Sequence, residues 1–435
     1  MSKTCYIIIS LMVKLANFVF SEVLIMNITA IIAEYNPFHK GHLYHIEKAK
    51  KESGAEYCIV IMSGPFVQRG CCAIADKYTR AKAALSCGAD LVLELPVLYA
   101  TSSAEFFSLG AVKTLHKLGV VSSLSFGGET QELVNMKNIA SILADEPAKY
   151  RETLKFHLKK GLSFPAARTN AIGEVFDIPH SEELLNAPNN ILGIEYLKAL
   201  HLCKSSITPV LIKRVGGGYH QKEADALYSS ASSLRSQLQN SSSLEIIQSQ
   251  IPEKVYDLLK DSYHQTFPVF DEDLSAWIRF SLMQVKDMDY TPYLDVSKDL
   301  SNRIRNHIYE YESFHQFVTI LKTKELTYTR ICRCLIHIAL GITKDDLQLA
   351  KSIDYVPYIR ILGIKKQSSS LLTQIKNSCD IPIITNPVSM WNHLSVEAQR
   401  LLQLDCHANH IRNCIAGEKF HKKTGCEYKQ KFICI

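Results

Sequence analysis

Several features that would place a chain early are missing from these 435 residues. The thirteen cysteines show no regular short spacing, which excludes a disulfide-stapled secreted module and makes a reducing cytoplasm the expected compartment. Charge of neither sign dominates: 49 basic against 43 acidic residues leave a net +6, which permits a nucleic-acid partner without implying one. Internal repeats and long low-complexity segments are absent, so a solenoid or a disordered linker protein is excluded. No uncharged apolar run reaches spanning length. The most apolar stretch, residues 1–25, is interrupted by Lys14 and offers no small-residue cleavage site, so neither a signal nor a spanning helix is expected. Because Met26 stands directly before the first periodic strand, this extension reads as a mis-assigned start or as a membrane-surface helix. No membrane and no protein partner is otherwise indicated.

What is present suits a cored protein: 47% hydrophobic and 21% charged residues, enough for two or three domains at this length. From Asn27, short β-branched runs alternate with amphipathic stretches. Strands are expected over 28–35, 56–64, 90–96 and 121–129, and helices over 41–53, 73–89 and 103–119. Strands apolar on both faces and separated by helices imply a doubly wound parallel α/β sheet. Helices follow to about residue 202, then a strand over 207–215, a Gly216-Gly217-Gly218 turn and a Ser-rich helix start. Beyond 243 the periodicity is mainly helical. The expected division is therefore an extension over 1–25, an α/β domain over 26–245 and a mainly α-helical C-terminal domain over 246–435.

Ligands of such sheets bind beyond the carboxyl ends of the strands, where "NPFHKGH", "SGPFVQRG", "ELPVLYATSSAE" and "FGGE" all fall. In the first, His39 and His42 flank Gly41 just where a helix begins. Unpaired N–H groups and the positive helix end favour phosphate there, and a glycine allows close approach. Imidazoles on either side can donate to non-bridging oxygens as an α-phosphorus is attacked. Alone, H-x-G-H is weak, and His39, His42 and His45 fit polar helix-surface positions as well, with metal ligation the lesser alternative. A second stretch, "YSSASSLRSQL", places Ser230, Ser232 and Ser233 before Arg235, which could hold phosphates and neutralise a pyrophosphate leaving group. Helix capping would explain the serines equally well.

Together "HKGH" and "SSASSLR" resemble the HIGH-type nucleotidyltransferase superfamily, with its Rossmann-like sheet. The longer stretches "AEYNPFHKGHLYHI", "SGPFVQRG", "ADKYTRAKAAL", "ELPVLYATSSAEFFSLGAV", "PNNILGIEYLKAL", "IKRVGGGYH", "YTRICRCLIHIAL", "YIRILGIKK" and "LLQLD" resemble the bacterial tRNA(Met) cytidine acetate ligase family. The resemblance runs from Met26 to near the C-terminus. It implies that ATP activates acetate as acetyl-adenylate, and that the acetyl group passes to the wobble cytidine of elongator tRNA(Met), giving N4-acetylcytidine. It also implies Mg²⁺ arriving with ATP. The ATP-binding stretch falls on Ala33, Glu34, Tyr35, Asn36, Pro37, Phe38, His39, Lys40, Gly41, His42, Leu43, Tyr44, His45 and Ile46, with further contacts at Gly127, Asn189 and Arg214. The catalytic assignments are His39, His42 and Arg235. No metal ligand is assigned.

Departures from the family pattern are Pro65, where an Asn is usual, and Cys71-Cys72, where a charged residue and a proline are usual. Pro65 removes a backbone donor. Cys406, His410 and Cys414 share a helix face, with Cys426 beyond, but the spacing fits no common zinc pattern. For RNA, the helical half offers Arg303, Arg305, Arg330, Arg333, Arg360, Lys365 and Lys366, interleaved with Tyr309, Tyr311, Tyr328 and Tyr358. The tail from Ile415 adds five lysines against two glutamates. Two rival readings share the same sheet: a cofactor-type nucleotidyltransferase acting on a small phosphorylated acceptor, and a non-catalytic RNA-binding protein.

Overall fold

The computed structural model describes residues 26–214 and 229–435. The extension over 1–25 and the Gly216-Gly217-Gly218 run lie outside the described residues.

The first half follows the alternation: β1 (Ile28–Ala33), α1 (Lys40–Ser53), β2 (Tyr57–Ser63), a hairpin of β3 (Phe66–Val67) and β4 (Cys71–Cys72), α2 (Lys77–Ser86), β5 (Leu91–Leu95), the short α3 (Val97–Ala100), α4 (Ala104–Leu118) and β6 (Ser123–Gly128). Helices α5 (Leu133–Asp145), α6 (Ala148–Lys159), α7 (Phe164–Val175), α8 (Ser181–Asn186) and α9 (Pro188–Leu202) lead to β7 (Thr208–Lys213) and, after the undescribed loop, α10 (Ala231–Gln239). Mainly helical segments follow: α11 (Glu253–Ser262), α12 (Ser275–Met283), α13 (Lys298–His307), α14 (Phe314–Leu321), α15 (Tyr328–Leu340) and α16 (Lys344–Ser352). Then come β8 (Ile359–Ile364), α17 (Ser369–Ser378), β9 (Ile383–Ile384), α18 (Pro387–Met390), the long α19 (Val396–Phe420) and β10 (Ile433–Cys434).

Strands β5, β2, β1, β6 and β7 pair in that order, all parallel. The strand order reverses at β1, so the crevice beyond the carboxyl ends of β1 and β6 is the topological switch point. Alternate side chains serve two cores. Ile59 and Ile61 point into the cluster shared with α4, α5 and α9, whereas Cys58, Val60 and Met62 meet Ile46 and Ala49 of α1 and Ala81 and Ala84 of α2.

The sheet is mixed rather than wholly parallel, because the second half of the chain extends it. β8 lies antiparallel to β5, and β9 and β10 pair with β8. A buried ion network fixes this edge: Lys77 Nζ stands 2.8 Å from Glu94 Oε1 and 2.7 Å from Glu427 Oε1, and Arg360 contacts both carboxylates. Among the described residues no helix is long and apolar enough to cross a membrane.

Candidate active site

The turn from β1 to α1 is built from the sequence NPFH. Tyr35 sits at φ 48°, and its ring packs against Phe38 with centroids 4.7 Å apart. Both rings are buried, so they shape the turn from inside. The Asn36 carboxamide oxygen accepts from the Ile74 amide (2.9 Å), tying the turn to the chain after the hairpin. His39 is the N-cap of α1: its Nδ1 accepts from the Gly41 amide at 3.0 Å, while His42 Nδ1 accepts from the His39 amide at 3.2 Å. Two histidines thus form a reciprocal capping box, a role ordinarily filled by Ser/Thr with Glu/Gln.

This arrangement decides the tautomers. Each Nδ1 is occupied as an acceptor, so each neutral ring carries its proton on Nε2. The rings stack with centroids 3.7 Å apart, and the Tyr35 edge meets His42 at 4.8 Å, so neither imidazole can turn freely. Neither Nε2–H makes a hydrogen bond to a described residue, which leaves two adjacent donors at a helix N-terminus. Burial, reinforced by the Arg214 charge, lowers His39 and His45 to about 4. Burial, His39, Arg214 and His45 together push His42 well below the usual imidazole range. All three rings are therefore neutral near pH 7, and His39 and His42 present Nε2–H as a donor. His45 Nε2 reaches Ser125 Oγ of β6 at 3.0 Å, which locks α1 across the switch point.

The opposite wall comes from β6, α9 and β7. A Cβ at Gly127 would approach Arg214 Cγ to 3.1 Å, and one at Gly128 would meet Leu211 Cδ1 at 2.8 Å. The two glycines thus leave room over β6 for the Arg214 stem and the Leu211 side chain. Arg214 Nη1 stands 3.4 Å from Asn189 Oδ1. Asn189 is itself held by Glu129, whose Oε1 accepts from Asn189 Nδ2 at 2.6 Å and whose Oε2 accepts from the Asn190 amide at 2.9 Å. Glu129 therefore caps α9 and aims the Asn189 amide oxygen toward Arg214. Arg235 on α10 donates through Nη1 to the Asn36 carbonyl (2.7 Å), joining the second motif to the first. Ser230 is the N-cap of α10, its hydroxyl accepting from the Ser233 amide at 3.2 Å. His39, His42, Arg214, Asn189, Gly127 and Arg235 are thus brought to the carboxyl edge of the sheet.

Two contributors escape sequence reasoning. Glu129 is one, since its partners lie sixty residues on in α9. Arg80 is the other: it is 1% exposed, and its guanidinium donates to the carbonyls of Glu34 (2.7 Å), Ser63 (3.0 Å), Gly64 and Ala75 (3.0 Å). It clamps the ends of β1 and β2 together behind the site. The only sequence signal was an arginine on the apolar face of an otherwise alanine-rich helix.

The departures fall in the β3–β4 hairpin over the same edge. Glu34 Oε1 accepts from the Gln68 amide (3.0 Å), and the Pro65 carbonyl accepts from the Ala73 amide (2.9 Å). Pro65 thus still closes the hairpin without an N–H of its own. Cys71 and Cys72 are buried, with burial pushing the Cys72 thiol up to about 12.

Several residues expected to face RNA are used otherwise. Arg360, Tyr311 and Tyr358 are buried. Arg360 is committed to Glu94 and Glu427, and Tyr358 donates to Asp405 Oδ2 at 2.7 Å. Arg303 closes α14 by donating to the carbonyls of Ile320 (2.8 Å) and Leu321 (3.1 Å). Arg305, Tyr309 and Lys366 are exposed, as are Lys422, Lys423, Lys429 and Lys431 of the tail. Cys406 is fully buried, Cys426 Sγ lies 3.7 Å from His410 Nε2, and no cluster of three or more His, Cys, Asp or Glu among the described residues could hold a metal ion.

Residues 26–426 match the HIGH Nucleotidyl Transferase family. A tRNA(Met) cytidine acetate ligase of Clostridium novyi is 39% identical over 377 residues, covering 86% of this chain and 94% of that protein. Another, from Acetivibrio thermocellus, is 37% identical over 418 residues, covering 94% and 100%. Crystal structures of Thermotoga maritima TmcAL share the fold at 29% identity. The apo form gives a TM-score of 0.87 and the form bound with alpha-thio ATP 0.85, each covering 94% of this chain.

Proposed function

The chain belongs to the tRNA(Met) cytidine acetate ligases of the HIGH Nucleotidyl Transferase family, and from that premise we propose that it joins acetate to the wobble cytidine of elongator tRNA(Met) in two steps. In the first, an acetate oxygen attacks the α-phosphorus of ATP and the bond to the bridging oxygen of pyrophosphate breaks, leaving acetyl-adenylate. In the second, the exocyclic amine of cytidine attacks the acetyl carbonyl and AMP departs, giving N4-acetylcytidine.

The observation that carries this reading is the pair of Nε2–H donors made by the reciprocal histidine cap. Charge develops on the non-bridging oxygens of the α-phosphate as it is attacked, and fixed neutral donors at a helix N-terminus stabilise that charge without reorganising. Arg235, held by the Asn36 carbonyl, faces the leaving pyrophosphate with its remaining N–H groups. Gly127, Asn189 and Arg214 serve the nucleoside side. Magnesium arriving with ATP would help neutralise the phosphate charge; among the described residues no cluster of carboxylates or other ligands is set to hold it. Exposed Arg305, Tyr309 and the lysine tail would supply cations and a stacking face for an anticodon loop with its base splayed out, whereas Lys366 lies by the amino end of β5, at the other edge of the sheet from the histidines. The expected setting is the cytoplasm, where tRNA, ATP and acetate meet.

The test is direct. The protein is incubated with ATP, labelled acetate and total tRNA, and the digested RNA is searched for labelled N4-acetylcytidine in tRNA(Met). Its formation only with all three substrates is expected. No label, or rapid pyrophosphate exchange with nicotinamide mononucleotide and none with acetate, would overturn the proposal.

A further inference from the structure

We infer that Asp271 is the base that takes the proton from the attacking amine during transfer of the acetyl group, an inference that rests on the two-step reading above. The segment before α12 that bears it is bound to the first motif by a short chain of hydrogen bonds. Arg235 Nη1 donates to the Asn36 carbonyl, the Ile74 amide donates to Asn36 Oδ1 (2.9 Å), and the Val269 amide donates to the Ile74 carbonyl (2.9 Å). Two residues on, Asp271 Oδ1 accepts from the Cys72 amide of the hairpin at 3.3 Å. Its second oxygen makes no hydrogen bond to a described residue and is not sealed in the interior. The side chain thus sits at the margin of the site, half-buried, with one oxygen anchored and the other unengaged.

Its surroundings suit a base. Burial is the main influence and lifts the carboxyl to about 6, with Glu272 adding to the rise. His315, Arg235 and the Cys72 amide act the other way and keep the rise moderate. The thiols of Cys71 and Cys332 and the Tyr328 hydroxyl lie within its field, and their own shifts upward keep them uncharged at neutral pH. Cys71 also feels the charges of Glu34 and Arg235, which the first and second motifs supply. A carboxylate titrating near 6 is ionised at pH 7 yet more basic than an ordinary one, the range in which general bases work.

The step balances without a further reagent. A bond forms between the exocyclic nitrogen and the acetyl carbon, and the bond from that carbon to the phosphate oxygen breaks, its electron pair leaving with AMP. The nitrogen proton passes to Asp271 and then to solvent. Adenylation has no such proton to remove, since acetate is already an anion. Asp271 therefore acts in one half-reaction only.

The test uses the Asp271→Asn variant, whose amide oxygen can still accept from Cys72. Acetate-dependent exchange of pyrophosphate into ATP should stay within about threefold of the parent. Single-turnover transfer from preformed acetyl-adenylate to tRNA should fall about 10²- to 10⁴-fold, the usual contribution of a general base. The parent's transfer rate should rise with pH through about 6, and the variant's should not. The Asp271→Glu variant should recover part of the rate and the pH dependence. Transfer within about threefold of the parent, a retained pH dependence in the Asn variant, or exchange and transfer falling together would each overturn the assignment. A parent that shows no acetate-dependent exchange would instead remove the two-step reading beneath it.

Discussion

At the scale of single residues, the histidines of the motif are coupled to stability as well as to chemistry. His39 and His45 titrate near 4 in the folded protein against about 6.5 when unfolded. Between those values the unfolded chain binds protons that the folded one refuses, so stability is complete above about 6.5 and declines as pH falls toward 4. Each depressed imidazole contributes on the order of 3 kcal/mol to that decline over the full interval. Urea unfolding at pH 7 and at pH 4.5 should therefore show a smaller acid loss for His45→Gln than for the parent. An equal loss would mean that His45 is not buried as a neutral ring. The H-x-G-H spacing is weak alone and was legible only through its place at the first strand-to-helix turn of an α/β sheet, where a nucleotide site is expected. Glu129 and Arg80 were not, because what they bind is backbone and amide groups brought near only by folding.

At the scale of elements, α1 owes its start to an N-cap that is also the proposed catalytic donor, and the two duties can be separated. Asparagine caps helices as well as any residue, whereas alanine does not. His39→Asn should keep nearly the parent's melting temperature and lose roughly 10²-fold or more in adenylation; His39→Ala should lose the activity and about 1 kcal/mol of stability besides. Calorimetry and pyrophosphate exchange on the two variants check this, and full activity in His39→Asn would restrict the residue to capping. The β1–α1–β2 alternation was readable because strand and helix periods differ sharply. The β3–β4 hairpin was not, since two-residue strands carry no period, and neither were β9 and β10 for the same reason. The run ILGI in β8 is apolar enough to suggest a strand, but nothing local states that it pairs antiparallel with β5.

At the scale of the whole molecule, the helical half is stitched to the nucleotide sheet through β8 and the buried Lys77, Glu94, Arg360 and Glu427 network, with Asn409 Nδ2 donating to Glu427 Oε2. Arginine in β8 suggested a surface contact for RNA. The structure shows instead that two carboxylates from distant segments accompany it inside, as a buried cation requires. Removing one member leaves the others uncompensated, so Arg360→Met should destabilise the protein by about 3–5 kcal/mol in denaturant unfolding. A loss below about 1 kcal/mol would show that the network does not hold the edge. That join holds the second half of the chain against β5, while the proposed chemistry depends on the donors at the sheet's carboxyl edge. The most direct measurement is acetate-dependent exchange of labelled pyrophosphate into ATP by the parent and by His42→Ala, with tRNA binding followed in parallel. The parent should exchange, and the variant should be slower by about 10²- to 10³-fold while binding tRNA as tightly. Equal exchange by the two proteins would contradict the placement of the paired imidazoles on the α-phosphate.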